Sequence, residues 1–225
     1  MPKSAPPKFR PSTEETRIKI MEAGERLFGE QGIEAVAMRA IAIEAKQRNT
    51  ASVQYHFGDR TGLLKAIFEY REGQFDAMRA DIVARGREFD QLGDIRWLLR
   101  ALYYPYFRHY TERSGLPYIR LHFQYLANLR PRGVLHPVDY DCPSSIYLRE
   151  VVARLQKKLN FLNLQQFTMR LEATGSMFLG ALMQHAARPL EPVMHAAVHY
   201  PSLFETLLEM MAASMTVPPW NFSSD

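Results

Sequence analysis

The spacing of apolar residues most constrains this fold, because it is helical along the chain and no segment alternates as a strand would. Ile20, Ala23, Leu27 and Phe28 lie on one helix face, and Gly32 after them suits a helix end. Prolines separate the later apolar segments. The sequence therefore predicts an all-α fold, with later helices at roughly 94–110, 117–129, 144–159, 164–187 and 202–215.

Short helices are predicted ahead of these. We expect a first helix of about 11 residues, a second over Met38–Ala45, a third of about 8 residues and a fourth of over 20 residues capped by Asp59. The third falls in the polar stretch QRNTASVQYHF (47–57), where Val53 and Phe57 point inward and Asn49 is placed as the cap. A helix this short is unstable alone, so its neighbours must hold it.

Two short helices joined by a turn, the second with a polar face, form the arrangement that inserts into a DNA major groove. Gln54 can pair with an adenine edge, and Thr50 and Ser52 can reach bases or phosphates. Between Arg39 and Lys65 there are five cationic residues against two acidic ones, within a chain of net charge +4. The same pattern also fits a solvated surface helix, which is the alternative interpretation.

The segment from Arg17 to Leu64 resembles the N-terminal DNA-binding domain of the TetR family of transcriptional regulators. The matching positions are Leu27-Phe28, Gly32, Ile41-Ala42, Ala45, Tyr55-His56-Phe57-Gly58, Arg60 and Leu63-Leu64. The resemblance implies that Thr50, Ser52 and Gln54 face bases, and that Tyr55, His56 and Arg60 bind the DNA backbone.

There are two departures from the family pattern. Lys46 stands where a turn glycine is expected, and the turn Lys46–Asn49 looks one residue longer than usual, which leaves the roles of Gln47 and Arg48 open. The predicted DNA-binding residues are Arg39, Arg48, Asn49, Thr50, Ser52, Gln54, Tyr55, His56, Arg60 and Lys65.

The resemblance also implies a larger helical domain that binds an effector and dimerises through the last two long helices. We expect a flexible basic arm at 1–12, the helix-turn-helix domain at 13–70 joined by a long helix to an effector-binding and dimerisation domain at 71–217, and a tail at 218–225. Small residues in 164–187 would let helices approach closely, between subunits or inside one subunit. The predicted dimer contacts are Gly175, Ser176, Leu179, Gly180, Met183, Phe204, Leu208 and Met211.

Aromatic residues are concentrated in the middle of the chain and, mixed with polar ones, could line a pocket or simply form core. The predicted effector-binding residues are Tyr103, Phe107, Arg120, His122, Phe123 and Tyr125. An apolar or aromatic ligand with one polar group would fit such a pocket.

The sequence argues against a membrane-spanning, a disulfide-linked and a metal-binding protein. The uncharged run 173–187, which no other run exceeds, is shorter than the roughly 20 residues of a membrane span. A single cysteine, Cys142, excludes an internal disulfide and indicates a reducing compartment, so we expect a cytoplasmic protein. His195 and His199 lack a third ligand, so neither metal nor cofactor is expected.

The stretch HPVDYDCP (136–143) contains a histidine, two acids and the cysteine, but its prolines favour a loop, and no complete nucleophile–base set is found. The prediction is a ligand-responsive, non-enzymatic repressor that binds a palindromic operator as a homodimer and is released by its effector. The alternative is a small-molecule-binding helical protein or an enzyme, either without DNA affinity.

Overall fold

The computed structural model describes residues 13–112, 115–187 and 200–219, and these ranges are helical and contain no strand. The all-α prediction is confirmed. The α-helices are α1 (Thr13–Gln31), α2 (Met38–Glu44), α3 (Ser52–Phe57), α4 (Arg60–Glu88), α5 (Ile95–Thr111), α6 (Leu116–Gln124), α7 (Ile146–Lys158), α8 (Leu164–Ala187) and α9 (Tyr200–Thr216). A π-helical turn, Tyr125–Leu129, continues α6, and short 3-10 turns lie at Arg130–Arg132, Pro137–Asp139 and Pro143–Ser145.

The first helix is longer than predicted: it has 19 residues rather than about 11. Its internal glycines do not end it, because they are places where another helix comes close. A Cβ added at Gly29 would lie 2.2 Å from the Pro117 carbonyl oxygen, and one at Gly24 would lie 3.0 Å from Leu63 Cδ2. These glycines therefore set how closely α1 can pack against α6 and α4.

The core of the first four helices seats the short α3. Phe28, Ile41, Val53 and Leu63 come from four different helices and are fully buried. The predicted cap of α4 is confirmed, since Asp59 Oδ1 accepts a hydrogen bond of 2.8 Å from the Gly62 N–H. Six residues of helix are thus held by tertiary contacts, as their length requires.

Polar side chains join α1 to the rest of the protein. Gln124, at the end of α6, accepts a 3.1 Å hydrogen bond from the Ile33 N–H and donates to the Phe28 carbonyl oxygen at 3.3 Å. Glu25 on α1 forms a two-point ion pair with Arg71 on α4, with distances of 2.6 and 2.9 Å. Burial raises the pKa of Glu25, while the Arg71 guanidinium opposes that rise. Both contacts fix α1 relative to the helices behind it.

Behind α1, helices α5 and α7 pack against α4, α9 packs against α5, and α8 packs against α6 and α9. Asp76 on α4 accepts hydrogen bonds from the Tyr147 and Leu148 N–H groups at 2.8 and 2.7 Å, and so satisfies the start of α7. Arg170 on α8 donates to the Met215 carbonyl oxygen at the end of α9, so α8 and α9 run antiparallel. None of the described helices is both long and apolar enough to cross a membrane.

Candidate nucleic-acid interface and internal cavity

The turn between α2 and α3 begins at Lys46, whose φ is +55°. The Lys46 N–H donates to the Ile43 carbonyl oxygen and the Gln47 N–H to that of Ala42, each at 2.9 Å. This is the Schellman end of a helix, in which the residue after the cap is left-handed and is usually glycine. The position where a glycine was expected therefore does adopt the conformation that favours glycine, with a lysine in it.

The start of α3 differs from the prediction. Asn49 forms the hydrogen bond predicted for it, since its Oδ1 accepts from the Ala51 N–H at 2.9 Å, but its carbonyl oxygen accepts from the Ser52 N–H in a turn ahead of the helix. These bonds close a local turn of the kind that asparagine favours, and α3 begins only at Ser52. The recognition segment is therefore a longer turn followed by six helical residues.

The outward face of α3 is largely as predicted. Val53 is fully buried, whereas Thr50, Gln54 and Tyr55 are exposed, Tyr55 by 84%. Ser52 is the exception, because its hydroxyl oxygen is buried and so cannot face a base in this structure. Of the three residues predicted to face bases, only Thr50 and Gln54 are presented at the surface.

The end of α3 is held by a residue that the sequence analysis did not select. Arg17 on α1 donates to the His56 carbonyl oxygen at 2.9 Å, and its guanidinium lies 4.6 Å from the centre of the Phe57 ring. His56 and Phe57 are both half-buried. The only hint in the sequence is that Arg17 opens the matching segment. Its contacts show that it positions α3 on α1.

The predicted cationic contacts divide into two groups. Arg39, Arg48 and Lys65 are exposed. Arg60, at the start of α4, instead donates to Glu34 Oε2 at 2.9 Å and to the Val36 carbonyl oxygen at 3.0 Å. A DNA phosphate would have to compete with the Glu34 carboxylate for Arg60.

A cavity of about 90 Å³, partly open to solvent, lies among α5, α6, α7 and α8. It is lined by Leu102, Tyr103, Tyr106, His122, Tyr125, Leu126, Arg130, His136, Val138, Leu148, Val152, Leu171, Glu172, Gly175 and Leu179. Three of the predicted effector-binding residues, Tyr103, His122 and Tyr125, line it.

The other three predicted effector-binding residues, Phe107, Arg120 and Phe123, are not part of the lining. Phe107 packs against the Phe204 ring with 4.9 Å between ring centres, and a Cβ added at Gly180 would lie 3.4 Å from the Phe123 ring. Helical spacing alone could not separate the side of α5 and α6 that meets the cavity from the sides that meet α8 and α9.

A buried charge network adjoins the cavity. Arg79 and Glu72 on α4 are fully buried and paired at 2.7 Å, and the Tyr106 hydroxyl donates to the other oxygen of Glu72. At the cavity wall, Arg130 pairs with Asp139 at 2.7 Å and with Glu172 at 2.6 Å. The pKa of Asp139 is lowered: hydrogen bonds from Arg130 and the His136 backbone outweigh desolvation by burial.

Two stacked histidines complete the polar end of the cavity. The rings of His122 and His136 lie 5.1 Å apart, with an angle of 23° between their planes. Burial lowers the pKa of both, that of His136 to about 3, so both are neutral near pH 7. The loop at 136–143, which the sequence suggested only as a loop, thus contributes His136 and Val138 to the lining.

The predicted dimer contacts also divide. Leu179, Phe204, Leu208 and Met211 are buried within the single chain, and Gly175 is buried against the cavity, so these five are not surface contacts here. For these five residues the structure fits the alternative given above, in which they pack inside one subunit. Ser176, Gly180 and Met183 are half-exposed.

Among the described residues, no three side chains of His, Cys, Asp or Glu are grouped so as to hold a metal ion. His195 and His199, the pair considered from the sequence, and the predicted arm at 1–12 lie outside the described residues.

Residues 20–67 match the family model of the "Bacterial regulatory proteins, tetR family", which confirms the resemblance over that segment. No curated protein sequence matches the chain. Among solved structures, an HlyIIR mutant protein is 17% identical with a TM-score of 0.51, over 91% of this chain and 99% of that one. A TetR-family regulator described as putative, from Rhodococcus sp., is 18% identical with a TM-score of 0.49, over 91% and 100%. The multidrug binding protein EbrR with malachite green is 19% identical with a TM-score of 0.49, over 89% and 98%. At these identities the likeness concerns the fold.

Proposed function

We propose that the protein is a repressor that binds a palindromic operator as a homodimer and releases it when a small effector occupies the cavity, because residues 20–67 match the tetR family model. The observation that carries the proposal is α3. It is seated by fully buried Val53, and it presents Gln54 and Tyr55 to solvent. An amide can pair with a base edge and a phenol can reach a phosphate.

The surroundings of α3 support a DNA interface over a merely solvated helix. Exposed Arg39, Arg48 and Lys65 lie on the same unit, where they can neutralise phosphates. Arg17 fixes the end of α3 from α1, so the helix is positioned by more than its own six residues. A pre-positioned helix loses less entropy when it binds.

The effector part of the proposal rests on how α6 is placed. His122 and Tyr125, on α6 and its π-helical continuation, line the cavity, while Gln124 between them binds the chain at the end of α1. A ligand that shifts α6 would therefore shift α1, which holds α3 through Arg17. Differential binding of the ligand to two positions of α6 would supply the energy for release.

The dimer part rests on side chains that α8 and α9 leave exposed. Met169 on α8 and Met210 on α9 are 62% and 49% exposed. Ala173 and Ala213, which follow them at helical spacing, are exposed as well. Methionines and small residues suit a close helix interface. Two α3 helices related by a two-fold axis would read both halves of a palindrome.

The test is fluorescence anisotropy with duplexes from the protein's own upstream region, over a range of salt concentrations. We expect Gln54→Ala and Tyr55→Ala each to weaken binding by roughly tenfold, since each base or phosphate contact contributes about 1–3 kcal/mol. Gln156→Ala, an exposed glutamine on α7 far along the chain, is the matched control and should bind as the parent does.

Affinity should also fall steeply as salt rises, because phosphate contacts release counterions. If no upstream duplex binds at moderate salt, or if both α3 variants bind like the control, the regulator proposal fails. A protein that binds small molecules but no duplex would instead fit the alternative of a helical ligand-binding protein without DNA affinity.

A further inference from the structure

Arg60, the cation that the sequence analysis places on the DNA backbone, is held by the protein itself, but incompletely. Its Nη1 donates to Glu34 Oε2 at 2.9 Å and its Nη2 to the Val36 carbonyl oxygen at 3.0 Å. Its Nε is buried and has no hydrogen-bond partner among the described residues. The strong arrangement of a guanidinium with a carboxylate is a two-point fork, whereas Glu34 accepts from one nitrogen only. Glu34 therefore holds Arg60 in a way that a better partner can replace.

The backbone on either side of Glu34 is fixed, although its side chain lies in solvent. Glu34 belongs to the loop 32–37 between α1 and α2, in which Ile33 and Val36 are buried. The Ile33 N–H also donates to Gln124 at the end of α6, at 3.1 Å. The Glu34 side chain itself is 63% exposed. The loop is thus fastened to α6, while the carboxylate can exchange its partners in water.

A second arginine lies beside the other oxygen of Glu34. Arg132 Nη1 is 3.8 Å from Glu34 Oε1, which is ion-pair distance but too long for a hydrogen bond. Arg132 ends the 3-10 turn whose first residue, Arg130, lines the cavity. Because both cations attract one carboxylate, the attraction by Arg132 opposes the hold on Arg60. A turn of the cavity wall therefore acts on the carboxylate that restrains a predicted DNA contact.

Resting on the proposed function, we propose that Glu34 lowers operator affinity by competing with a DNA phosphate for Arg60, and that Arg132 sets how strongly it competes. In the complex with DNA, Arg60 turns from Glu34 to the phosphate, whose oxygens suit a guanidinium as well as a carboxylate does. Movement of the cavity turn away from Glu34 leaves that carboxylate to Arg60 and weakens the DNA contact. This route is separate from the shift of α1 and α3 described above.

The size of the effect follows from the exposure of the pair. The side chains of Arg60 and Glu34 are 34% and 63% exposed, and an ion pair of this kind shifts an equilibrium by about twofold to fivefold. In the proposed homodimer two copies act on one operator, so the factors multiply to about fourfold to 25-fold. The restraint is weak enough to be reversed by DNA and large enough to be measured.

The test is fluorescence anisotropy with an upstream duplex, in a double-mutant cycle of Glu34→Gln and Arg60→Gln. Glutamine keeps the size of each side chain approximately and removes its charge. We expect Glu34→Gln to bind the duplex at least about fourfold more tightly than the parent does. The same change in the Arg60→Gln background should alter affinity by less than about 1.5-fold. Equal affinity of Glu34→Gln and the parent overturns the proposal, and so does a gain that persists without Arg60.

Glu30→Gln is the matched control for the loss of a negative charge. Glu30 is an exposed glutamate at the end of α1, four residues before Glu34, and it accepts a hydrogen bond from Arg26 instead of Arg60. This variant should bind within about 1.5-fold of the parent, because no predicted DNA contact is released. A gain equal to that of Glu34→Gln would mean that net charge alone raises the affinity, and the proposal would be wrong.

The contribution of Arg132 is tested in the same assay. Arg132→Gln should weaken duplex binding by about twofold when Glu34 is present and leave it unchanged in the Glu34→Gln background. A loss of the same size in both backgrounds overturns the assigned role of Arg132. The parent protein tests the proposed function separately. If the parent binds no duplex, both fail, whereas if the parent binds and Glu34→Gln does not tighten binding, only this inference fails.

Discussion

The left-handed lysine between α2 and α3 gives a sharp prediction about stability. Lys46 has φ of +55° and ends α2 in the Schellman arrangement. A side chain in this conformation costs roughly 1–2 kcal/mol, while glycine adopts it without steric cost. Glycine also loses more entropy on folding, by roughly 0.5–1 kcal/mol. Lys46→Gly should therefore raise the free energy of unfolding by about 0.5–1 kcal/mol.

The measurement is urea unfolding followed by circular dichroism, with the midpoint compared at constant m-value. In a thermal scan of a chain this long, the gain corresponds to a rise in Tm of roughly 1–4 °C. Lys19→Gly is the matched control, since Lys19 is an exposed lysine inside α1. There the same change should cost about 1 kcal/mol. If Lys46→Gly destabilises the protein as much as Lys19→Gly does, the conformational argument is wrong.

Two further predictions concern the loss of stability at acid pH and the close contact between α1 and α6. Burial lowers the pKa of His109 to about 4 and that of His136 to about 3. As pH falls below about 6.5, the unfolded chain takes up protons on these histidines while the folded protein does not. The stability that the two histidines contribute above pH 6.5 is therefore lost as pH falls towards their folded pKa values. Each should lose about 2 kcal/mol by pH 5, so a urea midpoint that does not fall between pH 7.5 and pH 5 would contradict this account. Gly29→Ala should destabilise the protein by about 1–3 kcal/mol, because the new Cβ would lie 2.2 Å from a backbone oxygen of α6. Gly73→Ala on α4, where the nearest atom is 3.7 Å away, should be neutral or stabilising by up to about 1 kcal/mol, and equal midpoints for the two would refute the close-contact argument.

The sequence predicted the elements of the DNA-binding unit well because local periodicity fixes which side of a helix is buried. Val53 inside and Gln54 and Tyr55 outside follow from a rotation of 100° per residue. The hydrogen bond predicted for Asn49 is present, but periodicity does not place the start of α3 at Ser52 or bury the Ser52 hydroxyl, because both depend on the turn before the helix. The engagement of Arg60 with Glu34 joins residues 26 positions apart, and no local pattern carries that pairing.

The cavity was harder to predict than the helices for a related physical reason. Aromatic side chains at helical spacing fit either core or cavity lining, so Tyr103 and Phe107 look alike in the sequence although only Tyr103 meets the cavity. The lining also draws on His136 and Val138 from an irregular loop, whose path depends on the ion pair between Arg130 and Asp139. Such a site exists only once distant segments are assembled.

The buried pair of Arg79 and Glu72 connects the two halves of the proposed function. A buried ion pair adds little net stability, because removing both charges from water offsets their attraction. Its effect is on position: Glu72 on α4 accepts from Tyr106, and His136 lies 3.6 Å from the same oxygen. α4 therefore reaches the polar end of the cavity with its middle, while its first turns support α3. Glu72 does not line the cavity, but Tyr106 and His136 do, so a shift of either side chain would act directly on the helix that carries the DNA-binding unit.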